Sequence, residues 1–235
     1  SVEAVGFKRA VEADVALHLA ENLRVNFKLQ LGAVTETVDV VEDFTRVNTE
    51  DGSLSALLGT HDMQTIPVNG RNFNELLALL PGTVSSIPTE PQPLAFNRAG
   101  ASINGTQPGH NNWSADGIYN MDTGGNGNMN DAVPIESVAE FRALRSDYSA
   151  EYGVAGGAQI DIITKSGTNQ FHGHFEEYFR NNVLDTRNFF SPVVPPLRFN
   201  SPGFTVGGPV IIPKVYNRKR QKTYFFASEE WQRYS

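Results

Sequence analysis

Cysteine is absent from all 235 residues, which excludes disulfide frameworks, thiol nucleophiles and cysteine-ligated zinc. No apolar run approaches the roughly 18 residues a helical membrane span needs. Membrane strands, which hide behind alternation, stay open. Basic charge is also short. Nineteen Lys and Arg face 26 Asp and Glu, a net charge of −7 that gives no electrostatic case for nucleic acid. The chain opens on Ser1 with neither a basic n-region nor an apolar h-region, and is read as a piece of a longer protein.

Enzyme signatures are equally scarce. Lys165-Ser166-Gly167 has the shape of a K-T-G motif, but no Ser-x-x-Lys nucleophile accompanies it. Gly100-Ala101-Ser102-Ile103-Asn104 fails Gly-x-Ser-x-Gly at its last position, and neither phosphate-binding nor dinucleotide glycine patterns occur. The expectation is a non-enzyme with no cofactor. Residues 122–131 are oxygen-rich but break the EF-hand pattern at Gly124. His172-x-His174, with Glu176 on the same strand face, has metal-binding spacing, yet closed zinc sites need four ligands. A polar row lining a lumen explains the three residues, and no metal is expected. Lys214, Arg218, Lys219, Arg220 and Lys222 read as a solvated turn between strands.

What is present is mostly β. Residues 11–19 and 23–31 alternate apolar with polar across a turn at Glu21-Asn22, which predicts a hairpin with one dry face. A third run covers 34–41, so the start is read as part of a sandwich. Residues 72–80 predict a helix carrying Phe73, Leu76, Leu77 and Leu80 on one face, stopped by Pro81-Gly82. From 96 to 131 the chain holds eight Asn and seven Gly, which predicts tight turns, and such loops often carry binding. A helical turn is expected at 134–138, strands at 140–145 and 158–165, and a turn region at 148–153. At 171–180 Phe171, Gly173, Phe175 and Phe179 alternate with polar residues, broken once by Glu177. Residues 223–234 form a second aromatic strand, and 181–201 a long loop. Crowded aromatics at strand ends suit a membrane-interface girdle.

The order of these segments resembles the plug region of TonB-dependent outer-membrane receptors. The runs that carry the resemblance are Ala115-Asp116-Gly117-Ile118, then Val133 to Leu144, Ser149 to Gly153, and Ala155 to Asn169. The flanks resemble the Oar-like branch of that family. Gly6-Phe7 and the hairpin are similar to the end of a carboxypeptidase regulatory-like domain, and Ile66 to Phe73 to early plug. Phe171-His172-Gly173, Gly207-Gly208-Pro209 and Lys222 to Phe226 are similar to the first barrel strands.

The resemblance implies a mainly β fold with short helices (an α+β plug): a partial sandwich at 1–42, a plug at 43–168, and the first strands of a truncated transmembrane barrel at 169–235. It implies import of a small molecule, glycan or peptide across the cell outer membrane, energised by the TonB complex, with outer-membrane lipid around the barrel. The N-terminal part would be periplasmic. Glu36-Thr37-Val38-Asp39-Val40 resembles the segment that contacts TonB, and reads equally well as the sandwich's last strand. Asn111, Asn112, Trp113, Asp116, Tyr119 and Asp122 are the candidate substrate-facing loop residues. His172, His174, Glu176 and Arg180 are the candidate lumen-facing ones. The competing reading is a surface or periplasmic β-rich module that binds glycan or protein through the Asn/Gly-rich loops.

Overall fold

The computed structural model describes residues 1–12, 24–32, 37–39, 52–66, 68, 71–85, 100–122, 124, 129–154, 156–187 and 189–235. Its centre is a five-stranded sheet of β3 (Leu54–Gly59), β8 (Val138–Ser146), β9 (Gln159–Thr164), β6 (Asn112–Ala115) and β7 (Ile118–Tyr119), in that spatial order. All pairs are antiparallel except β6 with β9.

Period-two alternation gives this sheet two distinct buried faces. Trp113, Ile160 and Ala143 lie side by side across β6, β9 and β8, as do Ala115, Ile162 and Phe141. These residues form the core with Met63, Leu76, Leu77 and Ile103. The other face carries Asn112 beside Gln159, and Ser114 beside Asp161 and Arg142. There Asn112 Nδ2 donates to Gln159 Oε1 at 2.6 Å, and both Ser114 Oγ and Gln159 Nε2 donate to Asp161 Oδ1 at 2.5 Å. Buried polar groups persist because they are paired with one another.

Residues 72–80 do turn, but as a 3₁₀ helix, Phe73–Leu79, rather than the α-helix the spacing predicts. The segment is short, and Asn72 caps it by accepting from the Asn74 amide at 3.0 Å. Leu76 and Leu77 are fully buried all the same. The turn at 134–138 is a 3₁₀ turn, Ile135–Ser137, that leads directly into β8. Asp116 and Gly117 both have positive φ, the type I′ signature, and close the β6–β7 hairpin tightly. A short sheet of β4 (Thr83–Ser85) and β5 (Ala101–Ile103) lies beside this unit.

A second sheet is built from β10 (His172–Asn181), β11 (Arg198–Pro209) and β12 (Tyr224–Glu230), with β13 (Arg233–Tyr234) also paired to β11. The loop expected over 181–201 is therefore shorter, because β11 begins at Arg198. Pro202, Gly203, Gly207, Gly208 and Pro209 hide that strand from a propensity reading. The basic run lies in the β11–β12 connection and is exposed. Asn217 organises it, donating to the Val210 and Thr223 carbonyls and accepting from the Gln221 and Lys222 amides.

The first hairpin is described only in part, since 13–23 lie outside the described residues. Over 24–30 exposure alternates residue by residue, as read, but the backbone carries no strand assignment. Lys8 N donates to Gln30 O, and Gly32 N to Gly6 O. β2 (Thr37–Asp39) pairs in parallel with β1 (Arg9–Val11).

Candidate functional site: a buried ion cluster between the two sheets

Four charged residues far apart in sequence converge where the five-stranded unit meets β10–β12. Arg71 Nη2 donates to Glu176 Oε1 at 2.9 Å and to Glu136 Oε1 at 3.4 Å. Its Nε lies 4.0 Å from Glu230 Oε1. All four side chains are at least 92% buried. The guanidinium lies 3.8 Å from the Tyr178 ring centroid, a cation–π contact on its open face.

Each residue has a local reason to be there. Arg71 precedes the 3₁₀ helix with φ of 63°, a conformation that costs a non-glycine residue and persists where its surroundings over-determine it. Glu136 belongs to the 3₁₀ turn before β8, and its Oε2 accepts from Gln64 Nε2 at 2.9 Å. Burial raises its carboxyl pKa, but the Gln64 hydrogen bond and the Arg71 charge outweigh burial and hold it below the ordinary range. Glu176 and Tyr178 face the guanidinium from β10, and Glu230 ends β12, where its Oε1 also accepts from Ser201 Oγ. Beside the guanidinium an open cleft of about 370 Å³ is lined by Met63, Ile66, Val68, Phe199 and the Tyr178 ring.

β10 divides the candidate lumen residues. Glu176 is buried in the cluster and Arg180 is half-buried, with its Nε 3.3 Å from Asp185 Oδ2. His172 and His174 are exposed. The opposite face of the strand carries Phe171, Phe175 and Phe179, at 59%, 73% and 60% exposure. Phe171 also lies against the backbone of Gly208, where an added Cβ would meet the ring at 2.4 Å.

The loop candidates separate into two groups. Asn111, Asn112 and Trp113 are buried, which corrects their reading as substrate-facing residues. Asn111 acts as backbone in the core: its Nδ2 donates to Ala101 O at 2.6 Å and its Oδ1 accepts from the Ala158 amide at 3.0 Å. Trp113 packs with its ring centroid 6.2 Å from that of Phe141. Asp116 and Tyr119 are exposed and Asp122 is half-buried. Asp116 straps the hairpin to β9 by accepting from the Thr164 amide and hydroxyl. Of the 36–40 segment, Thr37–Asp39 form β2, while Glu36 and Val40 lie outside the described residues.

Residues 163–235 match the family described as "Outer membrane beta barrel domain". Over 175 residues the chain is 26% identical to the TonB-dependent transporter Oar of Myxococcus xanthus, covering 71% of this chain and 15% of that protein. Over 91 residues it is 35% identical to the probable TonB-dependent siderophore receptor PirA of Acinetobacter baumannii, covering 38% of this chain and 10% of that one. The crystal structure of PirA superposes with a TM-score of 0.54 at 22% identity, over 76% of this chain and 24% of that one.

The chain is a homologue of the TonB-dependent outer-membrane receptors.

It spans only a tenth to a seventh of the length of these two curated relatives. The barrel family and the relatives place this TonB-dependent receptor homologue in the outer membrane of a Gram-negative envelope. The relatives are transporters and receptors, not enzymes, in line with the missing nucleophile patterns. The ion cluster had no sequence signature: Arg71, Glu136, Glu176 and Glu230 share no spacing, and only folding brings them together.

Proposed function

We propose that this chain is the coupling and plug portion of a TonB-dependent importer. Residues 1–42 end a carboxypeptidase regulatory-like domain, 43–168 form the plug, and 169–235 begin the barrel around it. The observation that supports this most is the buried cluster, in which Arg71 and Glu136 of a globular unit are bound to Glu176 and Glu230 of strands in the barrel-matching region. A unit seated on barrel strands by ion pairs closes a lumen and can be reopened by force. The substrate is a small molecule, glycan or peptide. PirA is named a siderophore receptor, which makes siderophores the first class to assay.

Coupling is assigned to the 36–40 segment, which would add as a strand to an edge of TonB's sheet. Among the described residues Val38 pairs with Ala10 in a three-residue ladder, which is short enough to fray. Val38→Pro removes an N–H and blocks strand addition. The full-length receptor carrying it is expected to assemble and bind ligand, yet to lose both capture by TonB's periplasmic domain and energised uptake. Normal uptake would place coupling elsewhere. Failed assembly would make the segment purely structural.

In the same reading Phe171, Phe175 and Phe179 face lipid. A lysine at mid-bilayer on that face costs about 2–4 kcal/mol. Phe175→Lys is therefore expected to reduce the heat-modifiable, assembled form of the full-length receptor, and His174→Lys, on the opposite face, to leave it near wild type. Equal effects on assembly would sink the assignment.

A further inference from the structure

We propose that Glu136, His174 and Glu176 form a divalent-cation site, suited to a borderline ion such as Zn²⁺, across the seam between the five-stranded unit and the first barrel strand. One ligand atom from each residue lies within 4.8 Å of the other two. The two oxygens of Glu176 are used differently. Oε1 accepts from Arg71, while Oε2 is buried, meets no N–H or hydroxyl donor among the described residues and points to His174 Nε2 at 3.7 Å. That separation is too long for a hydrogen bond. It is close to the roughly 3.4 Å between two ligand atoms of a tetrahedral ion with bonds of about 2.0–2.1 Å, and a small rotation of the exposed imidazole closes the difference. The Glu176 side chain is 93% buried, so an unpartnered oxygen there is costly and a cation would satisfy it.

Charge points the same way. Glu136, Glu176 and Glu230 crowd a single guanidinium, so three carboxyl groups face one permanent positive charge. One imidazole and two carboxylates suit zinc-class ions better than calcium or magnesium, which take all-oxygen shells. The spacing His172-x-His174 suggests a two-histidine site on one strand, but the third ligand comes instead from Glu136, on the other sheet's side of the seam. A bound ion would cross-link the two.

The test uses the metal-stripped full-length receptor in detergent, titrated calorimetrically with Zn²⁺ alone. The expected result is a stoichiometric site that His174→Ala weakens roughly tenfold or more, since losing a ligand costs at least what losing a supporting group does. His172→Ala should leave that site unchanged. His174→Cys supplies a gain of signal: with Co²⁺ it should produce a thiolate charge-transfer band that the wild type lacks. No stoichiometric Zn²⁺ binding, equal losses from His172→Ala and His174→Ala, or no new band with His174→Cys would each overturn the proposal.

Discussion

Arg71→Met in the full-length receptor is expected to cost about 3–5 kcal/mol, the range for removing one partner of a buried ion pair. The magnitude comes mainly from what is left behind. Glu136, Glu176 and Glu230 would share a dry site with no guanidinium between them, and each is at least 93% buried. Thermal unfolding of the purified receptor reads the loss directly. Adding Glu176→Gln to Arg71→Met should recover part of it, because one stranded charge disappears and the amide keeps the volume. Arg71→Lys should fall between the two, since an ammonium cannot bond two carboxylates and cover the Tyr178 ring at once. A melting transition unchanged by Arg71→Met would mean the cluster holds nothing together.

Trp113→Ala is expected to remove about 3–5 kcal/mol, as buried aromatic truncations do. Trp113 is fully buried among Phe141, Ile160 and the 3₁₀-helix leucines, so its loss opens a cavity the rigid sheet cannot fill. Tyr119→Ala, at a position 45% exposed and in the same hairpin, should change stability by no more than about 0.5 kcal/mol. Hydrogen exchange across β8 and β9 distinguishes the two outcomes. Protection retained in Trp113→Ala, together with weakened ligand binding, would return Trp113 to the role of substrate contact.

These residues also show where a sequence is readable. β9 and β10 could be read because β-branched and aromatic side chains, Ile160 with Ile162 and Phe175 with Phe179, recur at even spacing on one face. β11 could not, because proline and glycine mark loops in general and only the paired neighbours of Pro202 and Gly203 make them tolerable. Asn111 and Asn112 sit in a stretch whose composition reads as solvated turns. In fact the Asn111 amide bonds the Ala101 carbonyl inside the core, and the Asn112 amide pairs with the Gln159 side chain on the buried polar face, uses composition does not reveal. The ion cluster is a long-range object. Glu136 and Arg71 lie in recognisable stretches, but nothing local says they meet, and Glu230 had no signal at all.

The position of β3 has a mechanical consequence. It is both an edge strand of the five-stranded sheet and the first of its strands in the chain. Tension arriving from the N-terminal side would load β3 before any other part of that sheet. Its hold is slight, since Leu54 and Leu57 are exposed and only Ala56 and Leu58 pack on the core. β8 and β9, flanked on both sides and carrying Phe141, Ile160 and Ile162, would stay behind. The unit would thus yield by peeling from one margin, like tape from a backing, rather than by sliding out whole. The peel would run through Met63 and stall at Arg71, where four charges would have to come apart together.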